Sequence, residues 1–442
     1  MHGPATSSEF EKHRSLLRQV FQHALSEAAI ENVFERHISY ERGLLRVGED
    51  LYDLSRYGRV IVVAIGKAAH TMAQALTKKL GYGVAEGIVV APVDVAPQLP
   101  GFRYFRGGHP LPTAESVRAG NAVLRALEAQ TESSLVVYLI SGGASALCET
   151  PISSDISLED LVATYRILVH SGAPIAQINA IRKHLSALKG GRMARAAGAA
   201  TQVAILISDV PEGKVDSLAS GPTVPDTTTV EDCYRVAAEY GMVQHFPASV
   251  RQLLEDRELE ETPKQGDPEF AKSRYWVIAS NETALRTAVE KARSADFTVV
   301  IDNSCDDWDY AAAADYLLLR LAELRKSVER VCLVSGGEVT VKVTNGGTGG
   351  RNQQFALYCA TKITGQNVTV LSAGTDGIDG NSDFAGAVVD GTTVERAAAL
   401  GLNPEEALRD FNASPLFQHL GDAIVTGPTG NNVRDLRVLL AW

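Results

Sequence analysis

Short apolar runs that stop at glycine-rich turns constrain this chain more than any other feature. The turns read Ala64-Ile65-Gly66-Lys67-Ala68, Ser141-Gly142-Gly143-Ala144-Ser145, Ser335-Gly336-Gly337-Glu338, Gly346-Gly347-Thr348-Gly349-Gly350-Arg351-Asn352-Gln353 and Ala373-Gly374-Thr375-Asp376-Gly377. Glycine lets the backbone turn sharply and approach a ligand closely. A strand that ends in such a turn before a helix aims free N–H groups at an anion. Five such turns, carrying a lysine, an arginine and several carboxylates, point to a site that handles phosphate.

Between the turns, apolar runs of strand length alternate with helical periodicity. A buried strand is expected at Arg59–Ile65, and further strands at Gly87–Val90, Leu135–Ile140, Val203–Ile207, Tyr275–Ala279, Thr298–Ile301, Val331–Val334, Val339–Val343, Val368–Leu371, Gly386–Val389 and Asp422–Thr426. Residues from Phe10 to about Tyr57 read as helices, Ala91–Pro112 as irregular, and Lys67 as the start of a helix running to about Leu80. The alternation argues for an α/β protein with mainly parallel sheets. Ligands in such folds bind beyond the carboxyl ends of the strands, where four of the turns sit. The polar stretch 258–272, with Pro263, Gly266 and Pro268, is the candidate linker. It divides residues 1–257 from residues 273–442.

With 442 residues and 45% hydrophobic content the chain can bury a large core. A formal net charge of −11 argues against nucleic acid as a partner, since neutralising phosphates takes clustered Lys and Arg. The five cysteines are scattered without metal-ligand or disulfide spacing, and reduced thiols in a cytoplasmic protein are expected. Residues 1–14 lack an apolar signal core. No apolar run approaches the ~20 residues that span a bilayer.

Common nucleotide motifs are missing. Ala68 follows Gly66-Lys67 and Ile61 stands where a Walker loop needs glycine, so that loop is absent. Neither a GxGxxG after a strand nor a Gly-x-Ser-x-Gly elbow occurs. The candidates are therefore individual residues. Lys67, at a helix start where its charge opposes the helix dipole, suits a nearby anion. Arg351 can clamp an anion that the surrounding glycine loop wraps. Asp376, Asp379 and Asp383 lie in a run of oxygen ligands suited to Mg²⁺, with ordinary Asp-Gly turn chemistry as the alternative. Asp209, ending an apolar strand, is either a base, a metal ligand or a cap. His109, in Gly108-His109-Pro110, either binds substrate or is structural.

These strings closely resemble the class of glycerate 2-kinases that carry a C-terminal MOFRL domain. Besides the turns, the resemblance rests on Gly108-His109-Pro110, Ile181-Arg182-Lys183-His184-Leu185-Ser186, Lys189-Gly190-Gly191-Arg192, Ser208-Asp209-Val210, Ala219-Ser220-Gly221-Pro222-Thr223 and Thr426-Gly427-Pro428-Thr429-Gly430. They run in family order from about residue 60 to 436. The resemblance implies an N-terminal glycerate kinase domain, a MOFRL domain over about 331–436, and a cleft between two α/β domains. It implies phosphorylation of D-glycerate at the 2-hydroxyl by ATP with Mg²⁺ or another divalent cation, giving 2-phosphoglycerate and ADP. Lys67 and Arg351 match its best catalytic candidates.

On that reading Asp209 accepts the hydroxyl proton or orders the metal, and Asp376 is a second metal candidate. The remaining binding candidates are Gly66, Ser141, Gly142, Gly143, Ser145, Gly336, Gly337, Glu338, Gly349, Gly350 and Asn352. Arg182, Lys183 and Lys189 either add positive charge or form a solvated helix face, the second being favoured. The chain departs from the family at Glu212-Gly213-Lys214-Val215-Asp216, where an acidic pair is usual and Glu212 or Asp216 would have to substitute. It departs again at residues 378–384 and near Asn412. These departures leave open a kinase for a related hydroxy acid. Two further alternatives are a hydroxypyruvate reductase, which the missing GxGxxG disfavours, and a non-catalytic sugar-acid or nucleotide sensor. A homo-oligomer is left open.

Overall fold

The computed structural model describes residues 6–343 and 345–442. They form two compact units, one of residues 33–278 and one of residues 6–32 with 279–442.

The first unit is built on a six-stranded sheet in the order Phe102–Arg106, Glu86–Ala91, Arg59–Ile65, Ser134–Ile140, Thr201–Ile207, Ser273–Ala279. The first five strands pair in parallel. Every residue of the central strand Ser134–Ile140 is buried, which explains its unbroken apolar run; each such Val, Leu or Ile contributes about 1.5–3 kcal/mol by leaving water. Strand order reverses between Arg59–Ile65 and Ser134–Ile140. The chain continues from the former to one edge, then returns beside it and builds toward the other.

Three expectations change in this unit. Residues 38–53 form a three-stranded antiparallel sheet instead of helix, with left-handed Arg42 and Gly43 in its first turn. The segment expected to be irregular holds the edge strand Phe102–Arg106. The expected linker is woven into the domain: Thr262 is buried and donates to Asp226, and Arg192 donates to the Glu260 carbonyl. The unit boundary accordingly falls at 278/279.

The second unit holds a mixed sheet in the order Thr298–Ile301, Val331–Ser335, Asp435–Ala441, Val368–Gly374, Gly386–Asp390, Ala423–Ile424. One pair is parallel and four are antiparallel, so the parallel pattern holds in the first unit and gives way here. Antiparallel neighbours arise because the last strand, wholly buried, inserts at the centre. The expected strand at 339–343 is reduced to a single bridge between Thr340 and Asp309.

Helix Ser7–Ala28 also belongs to this second unit, contrary to an N-terminal domain beginning at residue 1. A capping box at Thr6 and Glu9 starts it. Its buried face of Phe10, Leu17, Val20, Phe21 and Ala24 meets helix Asn281–Arg293 and strand Val368–Gly374. Arg14 pairs with buried Asp390, and His13 stacks on Trp442 with ring centroids 3.7 Å apart.

Candidate active site

In the first unit the sheet's reversal point brings two glycine turns together. Ser141 donates its N–H to the Ile65 carbonyl (3.1 Å), Lys67 donates its own to the Gly142 carbonyl (2.9 Å), and the Ala68 N–H reaches Ser141 Oγ (3.1 Å). Crevices at such points are where open α/β sheets bind ligands. Lys67 is exposed and lies in the turn before helix Ala69–Leu80, two residues earlier than expected; no side chain caps that helix. A Cβ on Gly142 would overlap the Asp209 carboxylate, so a larger residue there would displace it. That overlap places Asp209, at the end of the next strand, against the same turn. A Cβ on Gly143 would stand 3.3 Å from Lys67 Cγ and 3.2 Å from His109 Cδ2. Gly66, Lys67, Ser141, Gly142, Gly143 and Asp209 thus form one constellation with His109.

Ser145 joins it from the short helix Ala144–Leu147, its Oγ hydrogen-bonded to Ser220 Oγ at 3.0 Å. Ala219 and Ser220 both have left-handed backbones, a strained arrangement of the kind that gathers at functional sites. His109 is held below its ordinary pKa, first by burial and then by the Lys67 charge. It is therefore a neutral hydrogen-bonding group at neutral pH. Beside it lies a pocket of about 450 Å³ lined by Leu111, Gly143, Ser145, Tyr165 and Arg182, among others.

The basic run after residue 181 is not a solvated helix face. Lys183 is buried and bonds Asp226 (2.9 Å) and Asp216 (3.1 Å). Asp216 is thus engaged by Lys183. Lys189 is buried against Glu149, and burial pushes its pKa down to about 7. Arg182 alone of the three faces the pocket. Its surroundings come from residues 109–111, 145–146 and 165–170, so no local pattern could have revealed them.

The second unit holds Arg351 at the first position of helix Arg351–Lys362. Its guanidinium is bidentate to Asp435 (Nε–Oδ2 2.6 Å, Nη2–Oδ1 3.0 Å) and reaches Glu338 Oε1 at 2.9 Å. These carboxylates push the arginine's pKa further up against burial. A pocket of about 520 Å³ is lined by Gly349, Gly350, Arg351, Gln354, Asp376, Asp379 and Asn381, with others.

Several expected anion donors in this unit are already engaged. The N–H groups of Gly336, Gly337 and Glu338 are taken by Asn303 (2.8 Å), Asn281 (2.9 Å) and Asp306 (3.0 Å). That turn is pinned by side chains instead of presenting N–H groups to phosphate. Gly349 donates to Asn381 at 2.9 Å. Asn352 is buried, accepts from Ser372 Oγ and donates its N–H to Asp379, so its role here is structural. Asp379, read as a metal-suited carboxylate, instead caps the Arg351 helix through the N–H groups of Asn352 and Gln353. A Cβ on Gly350 would overlap Asp379.

Among the described residues no group of three or more His, Cys, Asp or Glu is placed to hold a metal ion. Asp209 and Asp376 lie in different units. Asp376 Oδ1 accepts the Ile378 N–H at 3.2 Å, and its side chain also lines the pocket beside Arg351. Mg²⁺ at nucleotide sites binds through one or two carboxylates and the substrate phosphates. No helix is long and apolar enough to cross a membrane among the described residues.

Two family models match the chain: "Domain of unknown function (DUF4147)" over residues 16–255 and "MOFRL family" over residues 331–435. A glycerate 2-kinase of Pyrococcus horikoshii is 36% identical, covering 87% of each chain. A putative hydroxypyruvate reductase of Agrobacterium vitis is 33% identical over 96% of each. The crystal structure of glycerate kinase from Thermotoga maritima superposes with a TM-score of 0.84 at 31% identity, covering 98% of this chain and all of that one.

Proposed function

Because the chain belongs to the glycerate kinase family that joins a DUF4147 domain to a MOFRL domain, we propose that it phosphorylates D-glycerate at the 2-hydroxyl. ATP is the donor, and the products are 2-phosphoglycerate and ADP. The observation that carries the reading is the convergence of Lys67, the Gly142–Gly143 turn and Asp209 at the sheet's reversal point. That arrangement sets an exposed cation beside a carboxylate next to a pocket.

Phosphoryl transfer asks for in-line positioning and neutralised charge more than for covalent help. The 2-hydroxyl oxygen bonds to the γ-phosphorus as the bond to the β-phosphate oxygen breaks, and Asp209 takes the hydroxyl proton. Lys67 offsets negative charge on the transferred group. In the second unit Arg351 is the further candidate for offsetting phosphate charge, held in a fixed orientation by Asp435 and Glu338. Asp209 or Asp376, together with ATP phosphates, would hold a divalent cation, which supplies further charge neutralisation when bound.

The test is turnover of purified protein with ATP, Mg²⁺ and D-glycerate, followed by enolase. Phosphoenolpyruvate formed with enolase alone supports a 2-kinase. Formation only after a phosphoglycerate mutase is added indicates transfer to the 3-hydroxyl. Absence of ADP release, with NAD(P)H oxidation on hydroxypyruvate, would replace the kinase reading with the reductase one.

A further inference from the structure

We propose that Arg182 binds the carboxylate of the acceptor and sets the enzyme's preference for an acid over a neutral polyol; this rests on the kinase reading above. Three cations cluster in residues 182–189, and two are neutralised inside the protein. Lys183 is bonded to Asp216 and Asp226, and Lys189 to Glu149. Arg182 has no carboxylate partner among the described residues, and its buried Nε lacks any hydrogen-bond partner there. Burial lowers its pKa, and no carboxylate offsets this. A partly buried cation left unpaired is costly, and a bound anion removes that cost.

The guanidinium is held in one orientation. It lies over the Tyr165 ring, 5.0 Å from the centroid. Tyr165 is buried and anchored through its hydroxyl to Glu149 and to Lys189 Nζ. Below and beside the arginine the pocket offers Ser145 and a neutral His109, groups suited to hydroxyls. Gly143 belongs both to this pocket wall and to the Lys67 turn. A small hydroxy acid bound through its carboxylate at Arg182 therefore lies in the pocket that adjoins the phosphoryl-transfer residues. A guanidinium offers paired donors in the plane that a carboxylate's two oxygens match.

The experiment compares D-glycerate with its neutral amide, D-glyceramide, as acceptors for wild type, Arg182→Gln and Arg182→Lys. Wild type is expected to prefer the acid by about 100-fold in kcat/KM, from hydrogen bonds to a charged group. Arg182→Gln should raise the KM for D-glycerate by a similar factor, leave the KM for ATP unchanged and erase the preference. Arg182→Lys should restore it in part. The acid-to-amide ratio is independent of how much variant is folded. An unchanged ratio and KM in Arg182→Gln, with active wild type, overturns this proposal alone. A rise in the KM for ATP instead assigns the arginine to nucleotide phosphate and also overturns it. A wild type inactive on D-glycerate overturns both this proposal and the kinase reading.

Discussion

Asp379 offers a measurement of how tightly the Arg351 helix is held. Its carboxylate is 2% exposed and accepts the N–H groups of Asn352 (3.0 Å) and Gln353 (2.8 Å). Burial outweighs these bonds and pushes its pKa up from 3.8 to about 6, with Asp435 adding to the rise and Arg351 opposing it. The folded protein therefore binds this proton more tightly than the unfolded chain. The resulting stabilisation is full below about pH 4 and is lost as pH rises through about 6. The whole shift is worth about 3 kcal/mol, of which about 1 kcal/mol disappears between about pH 5 and pH 8. Asp379→Asn removes the titration. Its amide cannot accept at both carboxylate positions, and the stability that the variant retains does not vary with pH through this site. The assay is urea unfolding of both proteins at the two pH values in a Trp276→Phe background, so that Trp308 and Trp442 report on the unit that holds Asp379. The wild type should lose about 1 kcal/mol more than the variant on going from the lower to the higher pH. Equal pH slopes would refute the argument.

Further expectations concern single side chains. Lys67→Ala should lower kcat by roughly 100- to 1,000-fold with unfolding unchanged, because the exposed lysine serves only charge on the transferred group; undiminished turnover removes it from the mechanism. Asp435→Asn should lower kcat by about 10- to 100-fold, since half of the bidentate grip on Arg351 is lost. Arg351→Lys should do no better, a lysine being unable to form that pair; steady-state kinetics of the two variants decide it. Glu149→Ala leaves the buried Lys189 amine without its carboxylate partner and should cost about 3–5 kcal/mol in chemical denaturation, with Glu149→Ala/Lys189→Met recovering a large part.

What could be read from the chain itself was local. Lys67 and the Ser141–Ser145 turn were recognisable because each follows a largely buried apolar strand, and parallel strands bring such ends to one edge. Asp209 was recognisable for the same reason. Arg182 was not, because helical spacing cannot say whether residues 165–170 will cover that face of helix Ile175–His184. The engagement of Gly336–Glu338 was also hidden. Asn281, Asn303 and Asp306 reach it from distant sequence, so a turn that looks open in one dimension is plugged in three. Residues 38–53 misled because apolar positions such as Leu44, Leu45 and Val47 fit helix and strand spacing alike over so short a stretch. The N-terminal helix showed an amphipathic face but not which sheet would receive it.

That helix and the final strand impose an order on biosynthesis. Helix Ser7–Ala28 packs on a sheet whose central strand is Asp435–Ala441. At ribosomal rates of about 5–20 residues per second, on the order of a minute or less separates the two. Meanwhile residues 33–278 acquire every strand of their own sheet. The apolar face of the first helix must therefore wait, shielded by nascent-chain collapse or by a chaperone, until helix Asn281–Arg293 and strand Val368–Gly374 have been made. Synthesis of Asp435–Ala441, more than that of the first helix, is then the event that completes the second sheet.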